Sequence, residues 1–291
     1  MSDNILSCRD VSINFGGVKA VQNVTLDVEK GSITSIIGPN GAGKTTFFNI
    51  ISGVYKPTSG TVLFDGQDIT NLKQHEVSRL GMVRTFQNIR LFSQLDNVRN
   101  VQSALDARAD YNIFEGLLGL PRKRREDKRN FEIAMACLEQ VGLKEYAYDR
   151  PGSLPYGMQR KLELARALSS DPKLLLLDEP AAGLNPVEVE EFIHLLWEIK
   201  EKRDLTILLI EHRLKVVTTL SDKVFVFNFG ELLTEGTPEE VFSQVELLKK
   251  HRLDVPQSAE LMYRLRGAGV EVSSIPLNVA DCISALEEVL R

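Results

Sequence analysis

The segment GPNGAGKTT, residues 38–46, constrains the fold more than any other feature, because it directly follows the short apolar run SITSII. It matches the pattern G-x-x-x-x-G-K-[ST], in which the backbone amides of a glycine-rich loop surround phosphate groups. The helix that begins after such a loop turns its positive end toward the same anion. The pattern predicts that Lys44 reaches the outer phosphates and that the Thr45 hydroxyl ligates magnesium. The sequence therefore predicts a nucleotide-binding loop between a strand and a helix.

A second feature is the run LLLLDEP, residues 174–180, in which four leucines are followed by two adjacent carboxylates. In a parallel α/β sheet, ligands bind outside the carboxyl ends of the strands, so a buried leucine strand delivers its next residues to the phosphates. We expect Asp178 to hold magnesium, directly or through water, and Glu179 to orient or deprotonate the attacking water. The alternative is that these residues only form the next turn.

Hydrophobic periodicity predicts a strand-rich beginning, a helical middle, and then strands that alternate with helices. The pattern is mostly helical from about Gln94 to Ser170, and the helix PVEVEEFIHLLWEIKEKR separates the last two predicted strands. Strands that alternate with helices are typical of a parallel sheet. The segments predicted as strands are ILSCRDVSINF, AVQNVTLDVEKG, SITSIIG, TVLFDGQDI, LLLLD and LTILLIEH.

The carboxyl-terminal part of the chain predicts further helices. Pro238 opens one helix, Pro256 opens a second that ends near Gly267, and Asn278 with Asp281 caps the last. The apolar stripe of the last helix needs a neighbour. The sequence leaves open whether this neighbour belongs to the same chain or to another.

Composition excludes several classes of protein. The net charge of -5 argues against nonspecific nucleic-acid binding, which normally needs a basic excess. The three cysteines lie far apart without CxxC spacing, so they suggest neither a disulfide framework nor a zinc site, and a reducing cytoplasm fits best. The longest apolar stretches fall far short of the roughly 20 residues needed to cross a bilayer. We therefore expect any action at a membrane to require a partner.

Five motifs follow one another along the chain, and together they resemble the ATP-binding cassette (ABC) family from about Leu6 to Thr237. The resemblance is specific, because the motifs occur in the order and at the spacing that the family shows. They are the phosphate loop, Gln87 in VRTFQNIRLF, the loop LPYGM, the strand LLLLDE, and His212 at the end of TILLIEH.

The resemblance implies an α/β fold of the P-loop NTPase class. We expect an ABC nucleotide-binding domain over residues 1–240, with an antiparallel β subdomain, a mostly parallel core sheet and an α-helical subdomain over about 88–170. Residues 241–291 then form a carboxyl-terminal helical extension.

The resemblance also implies roles for individual residues. Glu179, His212 and Gln87 are the expected catalytic residues, although a histidine such as His212 can also be a purely structural polar group. The loop Leu154 to Met158 resembles the signature loop, which faces the γ-phosphate of a nucleotide held by the opposite protomer. Magnesium would be held by Thr45, Gln87 and Asp178. The residues expected to contact ATP are Phe15, Gly38, Pro39, Asn40, Gly41, Ala42, Gly43, Lys44, Thr45, Thr46, Leu154, Pro155, Tyr156, Gly157, Met158 and Asp178.

Three positions need a qualification beside this expectation. Phe15 matches the aromatic side chain that stacks on adenine, and the less favoured alternative is an apolar residue of an edge strand. Pro155 stands where many family members have serine, so a hydroxyl contact is missing from the signature loop. In the loop Ala182 to Asn185, Asn185 replaces the more usual aspartate and can still form hydrogen bonds.

Three segments resemble the importer ATPases for branched-chain amino acids, namely RTFQNIRLF, LPYGMQRKLELARAL and IEHRLKVV. The carboxyl-terminal extension instead resembles energy-coupling factor ATPases. We therefore predict an ATP-binding and ATP-hydrolysing importer subunit with ATP and Mg²⁺ as cofactors, lying peripherally on the cytoplasmic face of the cell membrane. Expected partners are integral membrane permease subunits, a second identical or different ATPase subunit and, indirectly, a substrate-binding protein; nucleic acid is not among them.

Other functions stay open at this point. An energy-coupling factor ATPase for vitamin or metal-ion uptake is one alternative, and a soluble ABC ATPase without a transporter is another. A different P-loop enzyme, such as a small-molecule kinase, would have no need of a signature loop. The segment Pro121 to Arg129, with six basic and two acidic residues, is either a solvated helix start or a contact for lipid headgroups or a partner.

Overall fold

The computed structural model describes residues 4–106, 121–270, 272 and 275–289. Residues 107–120 of the predicted helical subdomain and the end of the predicted last helix lie outside the described residues. The described strands are β1 (Asn4–Phe15), β2 (Val18–Glu29), β3 (Ile33–Ile37), β4 (Ser59–Phe64), β5 (Gln67–Asp68), β6 (Met82–Arg84), β7 (Leu174–Asp178), β8 (Thr206–Ile210), β9 (Lys223–Asn228) and β10 (Glu231–Gly236).

Helices fill most of the chain between and after these strands. The described α-helices are α1 (Lys44–Ile51), α2 (Gln74–Leu80), α3 (Asn97–Asp106), α4 (Pro121–Gln140), α5 (Tyr156–Ser169), α6 (Pro186–Arg203), α7 (Leu214–Leu220), α8 (Pro238–Ser243), α9 (Val245–Lys250), α10 (Gln257–Gly267) and α11 (Val279–Val289). No helix among them has the length and hydropathy of a membrane span.

The burial of each strand follows its sequence pattern. Every residue of β3, β7 and β8 is buried, as expected for short apolar strands covered on both faces. β1 and β2 mix buried and exposed residues along their length, which is typical of antiparallel strands with one solvated face. The predicted strands are therefore present, except that TVLFDGQDI is divided by a turn at Asp65 and Gly66 into the antiparallel pair β4 and β5.

The chain divides into two compact units, and the first runs to Asn71 and resumes at Leu208. It contains a four-stranded antiparallel sheet with the order β2-β1-β4-β5. In the same unit β9 pairs in parallel with β3 and antiparallel with β10. The loop of residues 38–43 connects β3 to α1, so the predicted phosphate loop lies between a strand and a helix.

The carboxyl-terminal extension belongs to this first unit, and its first two helices pack on the core of that unit. Phe242 and Leu248, from α8 and α9, share one hydrophobic cluster with Ile37 of β3 and Val226 of β9. The neighbour of these two helices is therefore the cassette of the same chain. The next two helices form a smaller cluster of their own, made of Met262, Val272, Cys282 and Ala285.

The predicted cap of the last helix is present. The Asp281 backbone amide donates to Asn278 Oδ1 at 2.9 Å, and Asn278 Nδ2 donates to Asp281 Oδ2 at 2.7 Å. This reciprocal pair satisfies one of the amides that every helix start leaves without an intrahelical partner.

The second unit runs from Leu72 to Ile207. In it β6 pairs in parallel with β7, and α3 packs against α4 and α5. In register, Arg84 at the end of β6 lies opposite Leu176 of β7. The residues that follow these two strands therefore emerge at the same edge.

Candidate active site

The phosphate loop has a conformation that requires glycine immediately before α1. Gly43 has a φ of 93°, and a Cβ built there would lie 2.5 Å from the carbonyl oxygen of Ala20. Any side chain would therefore clash with the backbone of β2, in addition to the strain of left-handed φ. Inside the loop, the Ala42 amide donates to the Pro39 carbonyl at 3.1 Å, which closes a tight turn.

Lys44 points into this loop. Its side chain is buried, and Nζ donates to the carbonyl oxygens of Gly38 and Pro39 at 2.7 and 2.9 Å. The ammonium group therefore lies inside the curve of the loop, at the start of α1. Thr45 is exposed and Thr46 is half-buried on the first turn of the same helix.

This donor set fits a polyphosphate. A curved backbone, a helix start and a buried ammonium all favour an anion at the same place. Among the described residues no group of three histidine, cysteine or acidic side chains could hold a metal ion by itself. The hydroxyl of Thr45 fits magnesium only as a partner of phosphate oxygens, which is how this cation is usually bound.

Phe15 lies at the end of β1 and leaves much of its ring exposed. The ring is 46% exposed and makes an edge contact with Tyr55, with centroids 5.3 Å apart. An exposed, braced aromatic ring is suited to stacking on a flat ligand. The contact with adenine remains a prediction.

His212 follows β8 and is exposed, but its backbone is held by a buried neighbour. The Glu211 carboxylate is 2% exposed and accepts hydrogen bonds from the amides of His212 and Arg213 at 2.9 and 3.1 Å. Glu211 therefore sets the direction in which the chain leaves the strand. The sequence analysis did not single out this glutamate.

In the second unit, Asp178 forms a buried ion pair. Arg84 Nη2 lies 2.7 Å from Asp178 Oδ2, and the two side chains are only 5% and 6% exposed. The guanidinium group also lies over the ring of Phe86, at 5.3 Å from its centroid. The sequence analysis missed Arg84, because the pairing of the two parallel strands that end in Arg84 and Asp178 is seen only in the structure.

Glu179 and Gln87, which the sequence assigned to one site, are in direct contact. Gln87 Nε2 donates to Glu179 Oε2 at 2.7 Å. Glu179 has a φ of 49°, a left-handed conformation that is uncommon for a residue with a side chain, and the Ala182 amide donates to its carbonyl at 3.0 Å. Such backbone strain next to polar groups is characteristic of functional sites, because it aims a side chain.

The predicted signature loop leads into the first turn of α5. Leu154 is buried, Pro155 and Tyr156 are exposed, Gly157 is buried and Met158 is half-buried. A Cβ built on Gly157 would lie 2.8 Å from Oε1 of Glu188, so the loop packs closely against the start of α6.

The structure thus brings together Gln87 with Glu179, and Lys44 with its own loop, whereas the roles of the separate residues toward ATP and magnesium stay predictions. Besides Arg84 and Glu211, the sequence analysis also missed Arg160, which contacts the backbone of Phe86 and Gln87. No sequence signal identified it, because a basic residue on an amphipathic helix is ordinary.

Comparisons with known proteins agree with these motifs. A profile of the family described as ABC transporter matches residues 21–182. The chain is 43% identical over 251 residues to the high-affinity branched-chain amino acid transport ATP-binding protein BraF of Pseudomonas aeruginosa, covering 86% of this chain and 98% of that protein. It is 31% identical over 290 residues to the energy-coupling factor transporter ATP-binding protein EcfA of Methanothermobacter thermautotrophicus, covering 98% of this chain and 88% of that protein.

Solved structures with the same fold include two that are described as coming from ABC transporters. A nucleotide-free cassette from an ABC transporter has a TM-score of 0.72 and 32% identity, covering 84% of this chain and 95% of that chain. The structure of cbiO1 from Clostridium perfringens, described as part of the ABC transporter complex cbiONQ, has a TM-score of 0.73 and 28% identity, covering 90% and 99%. These likenesses confirm the predicted fold class.

Proposed function

Because the chain belongs to the ABC transporter family of ATPases, we propose that it is the ATP-hydrolysing subunit of an importer for branched-chain amino acids. The observation that carries this proposal is the 43% identity to a branched-chain amino acid transport protein along 98% of its length. The contact between Gln87 and Glu179 supports the hydrolytic part, because it holds a carboxylate beside a strand end.

In this proposal the phosphate loop binds ATP. The amides of residues 38–46 surround the phosphates, Lys44 turns its ammonium group from the loop carbonyls to the outer phosphate oxygens, and Phe15 stacks on adenine. When bound, Mg²⁺ neutralises phosphate charge, and Thr45, Asp178 and Gln87 are the residues proposed to hold it.

Glu179 then acts on the attacking water. Its carboxylate, held by Gln87, orients the water or accepts its proton, while His212 contacts the γ-phosphate and senses its presence. The signature loop of a second subunit completes each site. Hydrolysis removes the phosphate that joins the two subunits, so they separate, and this cycle moves the attached membrane subunits.

The proposed partners follow from this cycle. They are integral membrane permease subunits, a second identical or different ATPase subunit and, through the permease, a substrate-binding protein. The chain would then lie peripherally on the cytoplasmic face of the cell membrane.

One observation favours a second candidate function. The EcfA relative matches 98% of this chain, including the extension beyond residue 240, and its name assigns it to an energy-coupling factor transporter. The second candidate is therefore an ATPase that energises vitamin or metal-ion uptake.

Purification with its membrane partners separates the two candidates. The tagged chain is isolated from mild detergent, its permease is identified, and ATP hydrolysis is measured in proteoliposomes with leucine and the cognate binding protein. Stimulation of hydrolysis and uptake of leucine would support the first candidate. A small substrate-capturing membrane subunit with stimulation by its vitamin or metal would support the second, and the absence of any co-purifying membrane subunit would contradict both.

A further inference from the structure

Arg160 lies one turn into α5 and joins this helix to the segment that carries Gln87. Its side chain is 3% exposed. Nη1 donates to the carbonyl oxygen of Phe86 at 3.1 Å, and Nη2 donates to the carbonyl oxygen of Gln87. One guanidinium group therefore donates hydrogen bonds to two successive carbonyl oxygens. The planar, forked donors of arginine suit this arrangement better than the ammonium group of lysine does.

A buried carboxylate holds this guanidinium in place. Glu163, one turn further along α5, has a side chain only 3% exposed and pairs with Arg160 Nη1 through Oε2 at 3.2 Å. Burial raises the pKa of the Glu163 carboxyl, while the charges of Arg160 and Arg166 act in the opposite direction. The Arg90 amide also lies 3.5 Å from Glu163 Oε1, so this carboxylate contacts the same segment a few residues further on.

The segment that carries Phe86 and Gln87 depends on this constraint. Gln87 lies between β6 and α3, outside any helix or strand, and its own side chain is exposed. That side chain nevertheless donates to Glu179 Oε2 at 2.7 Å. Because Arg160 fixes the carbonyls of Phe86 and Gln87, it restricts where the Gln87 amide can point.

Tyr156, in the signature loop, joins the same network at two points. Its hydroxyl oxygen accepts from Arg160 Nη2 at 3.2 Å. Its ring packs on Gly183, which has a φ of 78° and where an added Cβ would lie 2.7 Å from Tyr156 Cε1. Gly183 belongs to the turn that Glu179 begins, since the Ala182 amide bonds to the Glu179 carbonyl.

We propose that Arg160 is a positioning residue for ATP hydrolysis. Through Gln87, it links the signature loop of a subunit to the catalytic carboxylate of that same subunit. The inference rests on the proposed roles of Glu179 and Gln87. A displacement of Tyr156, when the signature loop meets the nucleotide of the other subunit, reaches Glu179 by way of Arg160 and Gln87. Each site then responds to the occupancy of its neighbour.

The test uses the full chain with its membrane partners. Arg160→Lys keeps the positive charge beside Glu163 but removes the pair of hydrogen bonds to the carbonyl oxygens of Phe86 and Gln87. We expect kcat to fall about 10- to 100-fold, because a catalytic group is misplaced, while the KM for ATP changes less than about twofold. Lys161→Ala, which removes only a partly exposed pair with Glu191 from the same helix, is the matched control and should keep kcat.

A double-mutant cycle separates positioning from a merely structural role. If Arg160 acts through Gln87, Arg160→Lys adds no further loss of kcat to that of Gln87→Ala. Additive losses, or an unchanged kcat in a folded Arg160→Lys variant, would overturn the inference. Should that variant fail to fold, Arg160→Gln combined with Glu163→Gln removes both charges of the buried Arg160–Glu163 pair and is read in the same way.

Glu179→Gln, measured in parallel, keeps the two proposals apart. Normal turnover of Glu179→Gln would remove the proposed mechanism itself. Loss of turnover there, together with full activity of Arg160→Lys, would reject only the role of Arg160.

Discussion

Glu179 combines a strained backbone with a close side-chain contact to Gln87, and its chemistry can be tested separately from nucleotide binding. Glu179→Gln keeps a hydrogen-bonding side chain beside Gln87 but removes the base, so hydrolysis should fall about 100-fold or more. ATP affinity should change little, because the phosphate loop is intact. Phosphate release and equilibrium nucleotide binding measure the two effects. Turnover near the normal rate in Glu179→Gln would exclude Glu179 as the base.

Lys44→Ala provides the contrast, because it removes a buried ammonium group from the phosphate loop. This variant should weaken ATP binding.

Arg84 raises a different question at the residue scale, because it neutralises a carboxylate proposed to bind magnesium. Removing one partner of a buried ion pair is costly, so Arg84→Met should lower the free energy of unfolding by about 3 to 5 kcal/mol in metal-free buffer. Adding Asp178→Asn should restore much of this loss, since no unpaired buried charge remains. Urea unfolding of the single and double variants measures both. Equal stability of Arg84→Met and the unchanged chain would show that the pair is not what holds Asp178.

The sequence anticipated the residues that follow strand ends but not those that approach from elsewhere. Glu179 and Gln87 were predictable because each follows an apolar strand within a recognisable motif, and they are in contact. Arg84 was not, because pairing of β6 with β7 is a long-range choice that periodicity does not encode. Arg160 was not, because a helical pattern identifies a buried face without naming the carbonyls that face it.

At the scale of elements, the start of α6 shows how a departure from the family pattern is accommodated. Asn185 Oδ1 accepts from the amides of Val187 and Glu188 at 2.9 and 3.0 Å, and Glu188 accepts from the Asn185 amide at 2.9 Å. Asn185→Ala should therefore cost about 1 kcal/mol of stability. Asn185→Asp keeps the cap and adds a favourable charge at the helix start, so it should be at least as stable as the unchanged chain. Urea midpoints at equal slope provide the comparison, and an Asn185→Ala midpoint matching that of Asn185→Asp would contradict the cap.

The extension illustrates the same limit for helices. Its proline starts and the Asn278 cap were recognisable in the sequence, and α8, α10 and α11 begin at those signals, whereas α9, which begins at Val245, was not predicted. The surface that their apolar faces pack against could not be predicted, because an apolar stripe on a helix shows only that the helix needs a neighbour. For α8 and α9 this neighbour is the core around Ile37 and Val226.

At the scale of the whole molecule, this packing predicts that two truncations behave differently. Deletion after Val241 removes Phe242, Val245 and Leu248, all nearly fully buried. Each such loss costs about 2 to 5 kcal/mol, against a total stability of roughly 5 to 15 kcal/mol. That truncation should not fold.

Deletion of residues 257–291 removes α10 and α11, whose buried Met262, Cys282 and Ala285 form a cluster separate from the one around Phe242, and it should leave a folded chain that binds ATP with unchanged affinity. These helices also expose Leu261, Tyr263 and Ile283, each more than 40% accessible. Covering these side chains in a second subunit would stabilise pairing, so we expect the shortened chain to form ATP-dependent dimers less readily. Light scattering in the Glu179→Gln background, with ATP and then ADP, measures this without turnover. Equal dimer formation by the full and shortened chains would assign the last helices to the fold of their own subunit alone.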